Sequence, residues 1–248
     1  MSDFINFMAE VKITPEMLEI LEERYAKYWW KDEDEREYAE VKKDPFKLLL
    51  FTILSQNTSG INTRRAYKGL KNAFDVSPHS LVHVHEGKIA DAIKAGGLHR
   101  IKAKRIKEVA EFIMKKWNGN IEKMLEGGRD VARKNLLALL GVGEKTADVV
   151  LSSLYGNRDS IVVDTHMKRI AIRLGIVEKN ATYKEIQEAI RKIFPWEIIP
   201  PSKEERILAL FWLMAKHTCD AKKPRCHECI LKNDCRYAET GSTSLNKL

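Results

Sequence analysis

Apolar residues recur at helical spacing along almost the whole chain, and this spacing restricts the fold more than any other feature. One such face is formed by Met17, Ile20, Leu21 and Tyr25. A later one is formed by Ile106, Val109, Ala110 and Ile113. A stripe of this kind indicates an amphipathic helix, and long stretches of two-residue alternation are missing. The sequence therefore predicts an all-α protein, with no Gly/Ser-rich linker between two separate domains.

The charge balance points to a polyanionic partner. Lys and Arg number 43 against 35 Asp and Glu, which gives a net charge of +8. Such an excess favours nucleic acid, although a generally charged surface is the other interpretation. No apolar run approaches the roughly 20 residues that span a bilayer. We therefore expect a soluble, intracellular monomer of the cytoplasm or nucleoid.

Four cysteines close to the end of the sequence predict a metal site. They are Cys219, Cys226, Cys229 and Cys235. The chain shows no apolar signal segment leading to an oxidising compartment, so thiolate coordination is favoured over disulfides. Cys226 and Cys229 form the only short knuckle, whereas zinc sites commonly contain two. Four thiolates on one loop also suit an iron–sulfur cube, and the spacing alone leaves both metals open.

Two apolar helical stretches separated by Gly141-Val-Gly143 predict a helix-hairpin-helix at about residues 136–155. The glycines allow backbone amides to approach a phosphate without an intervening Cβ atom. On the second helix, Ala147, Val150, Leu151 and Leu154 are expected to be buried. Lys145 falls in the first turn of that helix. A plain tight turn without a ligand is the alternative interpretation of the motif.

Asp164 directly precedes another apolar helical pattern, on which Met167, Ile170, Ala171 and Leu174 share a face. Aspartate is a preferred N-cap residue, so a purely structural role is one interpretation. A capping aspartate can also act in chemistry if its second oxygen faces a ligand.

Three motifs together resemble the endonuclease III family of helix-hairpin-helix DNA glycosylases. They are Leu140–Ala147, Val163–His166 and the cysteine spacing, and the resemblance extends from about Asp44 to Tyr237. It implies a six-helix barrel domain over residues 44–155. It also implies a cluster domain formed by residues 1–43 and 156–248, with a cleft between the two domains and a [4Fe-4S] cluster on the 219–235 loop.

The resemblance also assigns roles to individual residues. Gln56 and Leu98 match the two loops that enter DNA, with His99 beside Leu98. Lys145 matches the nucleophile that attacks the sugar, and Asp164 matches the carboxylate that stabilises the charged sugar. A neutral amine is required, and partial burial at a helix start is expected to favour it. Phosphate contacts are expected from the following residues: Gly141, Gly143, Lys222, Lys223 and Arg225.

The implied function is base excision repair by a bifunctional DNA glycosylase and abasic-site lyase. It would remove oxidised pyrimidines of the thymine glycol and dihydrouracil type from double-stranded DNA. A mismatch uracil/thymine or 5-methylcytosine glycosylase on the same fold is one alternative. Another is a noncatalytic DNA-binding protein with a four-cysteine zinc site. The mismatch-adenine branch is disfavoured because residues 49–55 contain no carboxylate and position 145 is lysine.

Overall fold

The computed structural model describes residues 11–29 and 32–240, apart from the side chain of Asp32. This part of the chain contains helices and no strands, as the periodicity predicts. The α-helices in chain order are α1 (Pro15–Tyr25), α2 (Asp32–Lys42), α3 (Pro45–Ser55), α4 (Gly60–Ala73), α5 (Pro78–Leu81), α6 (Glu86–Ala92), α7 (His99–Trp117), α8 (Ile121–Leu125), α9 (Arg129–Leu137), α10 (Glu144–Tyr155), α11 (Thr165–Leu174), α12 (Tyr183–Ile193), α13 (Glu204–His217) and α14 (Arg236–Thr240). No described helix is both long and apolar enough to cross a membrane.

The described residues form two compact units. The central unit contains residues 32–155, and the terminal unit contains residues 11–29 together with 156–240. The terminal unit therefore combines a segment that precedes the central unit in the sequence with one that follows it, which agrees with the missing linker. Residues 1–10 and 241–248 of the predicted cluster domain lie outside the described residues.

Helix α3 forms the middle of the central unit. It is apolar on nearly all sides and contacts α2, α4, α7, α8 and α10. Its leucines Leu48, Leu49 and Leu50 are all fully buried. Each such side chain contributes roughly 1.5–3 kcal/mol on burial, so α3 anchors the helices that surround it.

Helix α2 packs with the central unit, whereas the sequence-based domain boundary at residues 43/44 grouped it with the cluster domain. Tyr38 stacks at an angle on Phe51 of α3, with 5.5 Å between ring centroids. Lys71 of α4 pairs with Glu37 at 2.9 Å. Aromatic and ionic contacts thus attach α2 to α3 and α4, and periodicity within α2 alone gave no sign of them.

The terminal unit is built around α13, which packs against α1 and α11. Phe211, Met214 and Ala215 of α13 are fully buried. The two chain segments are joined by a hydrogen bond from the Ile13 amide to the Ile193 carbonyl, at 2.8 Å. The hydroxyl groups of Tyr25 and Thr218 are hydrogen-bonded at 2.6 Å. These bonds hold the first described segment against the second.

The helical faces predicted for α7 and α11 are confirmed, since every residue named on them is buried. One residue predicted to be buried on α10 is not, because Leu154 is 42% exposed. The neighbouring Tyr155 instead turns inward, and its hydroxyl donates to the Leu125 carbonyl at 2.7 Å. The last turn of α10 is therefore anchored by a hydrogen bond and not by a leucine.

Candidate active site and cysteine loop

The turn between α9 and α10 has the form of a helix-hairpin-helix. Val142 is buried, and its amide donates to the Leu139 carbonyl at 3.1 Å. Gly141 has a φ of +78°, a left-handed conformation that favours glycine. Gly143 has an ordinary backbone, and a Cβ atom added there would meet nothing within 4 Å. The two glycines therefore serve different ends: Gly141 shapes the turn, and Gly143 leaves open space at the start of α10.

Lys145 is the second residue of α10, and its side chain is exposed. The partial burial expected for this amine is therefore wrong for the structure described. The turn of α10 that follows Lys145 is held firmly, because the fully buried Asp148 pairs with Arg133. A second arginine nitrogen lies 3.4 Å from Glu144. A buried carboxylate without its cation would be costly, so this pair fixes the helix that carries Lys145.

Gln56 is bound by its whole amide group within the central unit. Its Nε2 donates to the Gly141 carbonyl at 3.1 Å and to Thr146 Oγ1 at 3.2 Å. Its Oε1 accepts from Arg105 Nη1 at 2.6 Å. Gln56 caps the end of α3, and the next residue, Asn57, has a φ of +52°. The residue is thus placed on the hairpin turn.

Leu98 lies directly before α7 at a sharp bend. It has a φ of +48° and is 51% exposed, and the preceding Gly97 also has a positive φ. Lys102 stabilises this bend. Its buried Nζ donates to the Gly96 carbonyl at 2.9 Å and to the Leu54 carbonyl at 2.7 Å. One ammonium group therefore joins the backbone before Leu98 to the end of α3 just before Gln56. His99 is the first residue of α7.

Asp164 is the N-cap of α11, as its sequence position predicts. Its Oδ1 accepts from the His166 amide at 2.9 Å and from the Met167 amide at 3.0 Å. Its Oδ2 accepts from Trp212 Nε1 at 2.7 Å. The carboxylate therefore uses one oxygen as a helix cap, while the other is held by an indole from α13.

The four cysteines follow the end of α13, and none forms a disulfide. Burial is the main reason that the pKa of the Cys229 thiol is raised to about 12, and the neighbouring thiols of Cys219, Cys235 and Cys226 contribute to this rise. Burial also raises the pKa of Cys235. The four thiols are therefore close enough to influence one another. Among the described residues, no three or more His, Cys, Asp or Glu side chains are arranged to hold a single metal ion.

Arg173, which is 2% exposed, supports the cysteine loop from α11. Its guanidinium donates to the carbonyls of Cys219, Asp220 and Ala221 at 3.1, 2.7 and 3.0 Å. It also lies 3.4 Å from Cys219 Sγ. Its Nε is buried and has no hydrogen-bond partner among the described residues. A buried cation beside a cysteine sulfur suits a loop that carries thiolate charge.

The basic residues of the loop are exposed at its surface. Asp220 Oδ1 accepts from the amides of Lys222 and Lys223 at 2.8 and 2.9 Å, and these bonds hold the pKa of Asp220 below its usual value. Arg225 Nε donates to Glu228 at 2.9 Å. The turn therefore presents both lysines to solvent, while Arg225 is already engaged by a carboxylate.

Comparison with known proteins identifies the family. Residues 50–196 match the family described as HhH-GPD superfamily base excision DNA repair protein. The endonuclease III of Thermotoga maritima is 35% identical over 194 residues, which cover 78% of this chain and 84% of that protein. The chain belongs to the endonuclease III family. The family's enzyme from Sulfolobus acidocaldarius is 34% identical over 199 residues, covering 79% of this chain and 83% of its own.

A solved structure of an endonuclease III agrees in fold over most of the chain. It is a trapped covalent intermediate with DNA, in an estranged-adenine complex. The likeness has a TM-score of 0.67 at 26% identity and covers 90% of this chain and 94% of that one. These comparisons confirm the predicted helix-hairpin-helix DNA glycosylase fold. They also confirm the predicted activity class of a base excision repair enzyme, a DNA glycosylase with abasic-site lyase activity.

Three residues that contact or support predicted site residues within their own unit were not found by sequence reasoning: Lys102, Arg105 and Trp212. Lys102 did leave a signal, because it falls on the same helical stripe as Ile106 and Val109, where a charged residue is unexpected. Arg105 and Trp212 left none. Their partners Gln56 and Asp164 lie 49 and 48 positions away, so only the folded chain brings them into contact.

Proposed function

We propose that this protein removes oxidised pyrimidines, of the thymine glycol and dihydrouracil type, from double-stranded DNA and then cleaves the abasic site. The observation that carries the proposal is the exposed amine of Lys145 in the first turn of α10, two residues after the open position at Gly143. The amino end of a helix attracts phosphate through its free amides and its dipole. A trapped covalent DNA intermediate of an endonuclease III supports a nucleophile of this kind.

Lys145 is proposed as the nucleophile. The lesion must first leave the base stack, because its glycosidic carbon is shielded inside a duplex. The neutral amine then attacks the anomeric carbon, and the C–N bond breaks as the base leaves with the electron pair and takes up a proton. Ring opening gives a Schiff base. Loss of a proton from the adjacent sugar carbon expels the 3′ phosphate, which cleaves the strand.

Asp164 is proposed as the carboxylate that stabilises the oxocarbenium-like sugar. Fixed charges of this kind act most strongly where water is excluded. The two amide bonds to Oδ1 and the indole bond to Oδ2 support the role, since they fix the plane of the carboxylate before DNA arrives. Its work as a helix cap is compatible with this function.

Gln56 and Leu98 are proposed to enter the DNA, with His99 beside them. The exposure of Leu98 at a bend and the position of Gln56 on the hairpin turn support this role. The amides around Gly141 and Gly143 are proposed to bind phosphate. Lys222, Lys223 and Arg225 are proposed to add a contact that does not depend on sequence.

The cysteine loop is proposed to hold a [4Fe-4S] cluster through Cys219, Cys226, Cys229 and Cys235. The placement of four cysteines on one short loop and the Arg173 guanidinium beside Cys219 Sγ support a negatively charged thiolate-bound group. When bound, the cluster links the four cysteines and so fixes the loop that carries the basic residues. Purified protein should then contain four irons with bound sulfide, and a colourless protein with stoichiometric zinc would refute the assignment.

Borohydride trapping on thymine-glycol DNA tests the nucleophile. The native protein is expected to form a covalent adduct, and Lys145→Ala is expected to form none. Lys115→Ala, which removes an exposed lysine from the end of α7, is the control and should trap as the native protein does. Undiminished trapping by Lys145→Ala would show that another amine attacks. Asp164→Asn should bind DNA but lose base excision.

A panel of duplexes, each with one lesion, tests the proposed substrate class. Thymine glycol and dihydrouracil should be excised faster than uracil or thymine opposite guanine, 5-methylcytosine or 8-oxoguanine. Preference for the mismatched bases would favour the alternative glycosylase. Binding without excision of any lesion would favour a noncatalytic DNA-binding protein.

A further inference from the structure

Arg105 touches two parts of the candidate site at once. Its Nη1 donates to Gln56 Oε1 at 2.6 Å, a charge-assisted hydrogen bond. Its aliphatic stem lies on the hairpin turn, since a Cβ atom added at Gly141 would be 2.6 Å from Arg105 Cδ. No described carboxylate lies within ion-pair distance of Arg105. Gln56 is therefore the main polar partner of this guanidinium.

The contacts around Gln56 fix which way its amide points. A guanidinium can only donate, so the oxygen must face Arg105. The Gly141 carbonyl can only accept, so the nitrogen must face the turn. A glutamine on a loop would otherwise sample several rotamers, and ordering it costs conformational entropy at the moment of DNA entry. Arg105 removes that cost in advance.

We infer that Arg105 is a positioning residue that orients Gln56 for entry into the DNA stack. The bonds from Gln56 to the hairpin are the longer ones, at 3.1 and 3.2 Å, and lead to neutral acceptors. They break when Gln56 leaves the turn, whereas the shorter bond to the arginine is retained. The inference rests on the proposed function of Gln56, and it assigns Arg105 no direct contact with DNA.

A double-mutant cycle between Arg105 and Gln56 tests this coupling. Arg105→Met keeps the length of the side chain but removes its donors, and it should lower the single-turnover excision rate about tenfold. Arg105→Lys retains a charged donor and should recover part of the loss. In a Gln56→Ala protein, adding Arg105→Met should change the rate less than twofold. Lys104→Met removes a neighbouring exposed cation of α7 and should leave the rate unchanged.

Fluorescence of 2-aminopurine opposite the lesion reports entry of Gln56 without chemistry. The measurement uses Lys145→Ala protein, so it remains informative even if the proposed excision activity is wrong. Arg105→Met should reduce the fluorescence rise on binding, while loss of the bond to Gln56, at about 1 kcal/mol, should lower the melting temperature by no more than about 4 °C. If the methionine variant does not fold, Arg105→Lys, which retains a charged donor, is measured in its place.

Two results would overturn the inference. In the first, Arg105→Met weakens DNA binding as much in the Gln56→Ala protein as in the native protein. It also lowers by about one the slope of the logarithm of the binding constant against the logarithm of salt concentration, which would show that Arg105 binds a phosphate directly. If Arg105→Met excises faster than the native protein, the contact restrains Gln56 and does not prepare it. Loss of excision by the native protein itself would instead refute the proposed function.

Discussion

The two glycines of the hairpin give a matched pair of substitutions that separates folding from DNA binding. Gly141→Ala places an L side chain at a φ of +78°, which costs about 1–2 kcal/mol. The new Cβ atom would also be 2.6 Å from Arg105 Cδ and 2.7 Å from Arg105 Nε. Moving the arginine stem breaks its bond to Gln56, which adds about 1 kcal/mol.

Gly143→Ala should behave differently in the free protein. The position has an ordinary backbone and open surroundings. Alanine restricts the unfolded chain more than glycine does, which stabilises the folded protein by about 0.4–1 kcal/mol. Alanine is also a poorer N-cap than glycine at the position before α10, which destabilises the folded protein by a similar amount. These effects oppose each other, so the free energy of unfolding should change by less than about 0.5 kcal/mol.

Thermal unfolding and fluorescence anisotropy with an abasic-analogue duplex measure the two effects. Gly141→Ala loses about 2–3 kcal/mol in total, which corresponds to a fall of roughly 5–10 °C in Tm. Gly143→Ala should keep its Tm but bind DNA about tenfold more weakly, because a methyl group stands where the phosphate approaches. Equal loss of Tm in both variants would refute the structural argument. Native affinity in Gly143→Ala would refute the phosphate contact.

Three further changes test other contacts. Trp212→Phe keeps the ring but removes the donor to Asp164 Oδ2, so we expect excision to slow about 10- to 100-fold with little change in KM; a rate within twofold of native would contradict this role. Lys102→Met leaves two buried carbonyls without a donor and should lower the free energy of unfolding in urea by about 2–3 kcal/mol, whereas a loss below 0.5 kcal/mol would show that the carbonyls find other partners. Burial raises the pKa of Tyr67 to about 12, so the folded state keeps this proton while the unfolded state loses it near pH 10. The contribution of Tyr67 to the free energy of unfolding, at most about 3 kcal/mol, is fully present below pH 10 and is lost as the pH rises to 12. Tyr67→Phe should therefore flatten the loss of stability between pH 10 and 12, and an unchanged pH profile would assign that loss to other groups.

The sequence predicted the features that depend on neighbours along one helix. The buried stripe of α11 follows from its 3.6-residue period, and the Asp164 cap follows from its place before that stripe. The tight turn between α9 and α10 follows from the short Gly-Val-Gly motif. Each of these is a local property, so a pattern of a few residues contains the required information.

Features that depend on tertiary packing could not be predicted in this way. The period of α10 places Leu154 inward, yet Tyr155 makes the inward contact, in which its hydroxyl donates to the Leu125 carbonyl. The amphipathic pattern of α2 does not reveal that Tyr38 and Glu37 pack on the central unit. Nor does Lys145 follow the expected partial burial: its side chain is exposed, although Asp148, three residues further along α10, is fully buried.

The two proposed catalytic residues share a position at the start of a helix and a supporting contact from another helix. Lys145 and Asp164 each stand at the start of a helix, where the first backbone amides have no partner within the helix, and at α11 Asp164 itself accepts from two of them. A helix start is a weak support by itself, because terminal turns fray. Each helix start is therefore stabilised by a contact from a residue outside that helix: Arg133 binds Asp148, three residues after Lys145, and Trp212 binds Asp164 directly. Because these two supporting residues lie outside the recognisable motifs, we expect substitutions at Arg133 and Trp212 to impair excision even when every motif residue is intact.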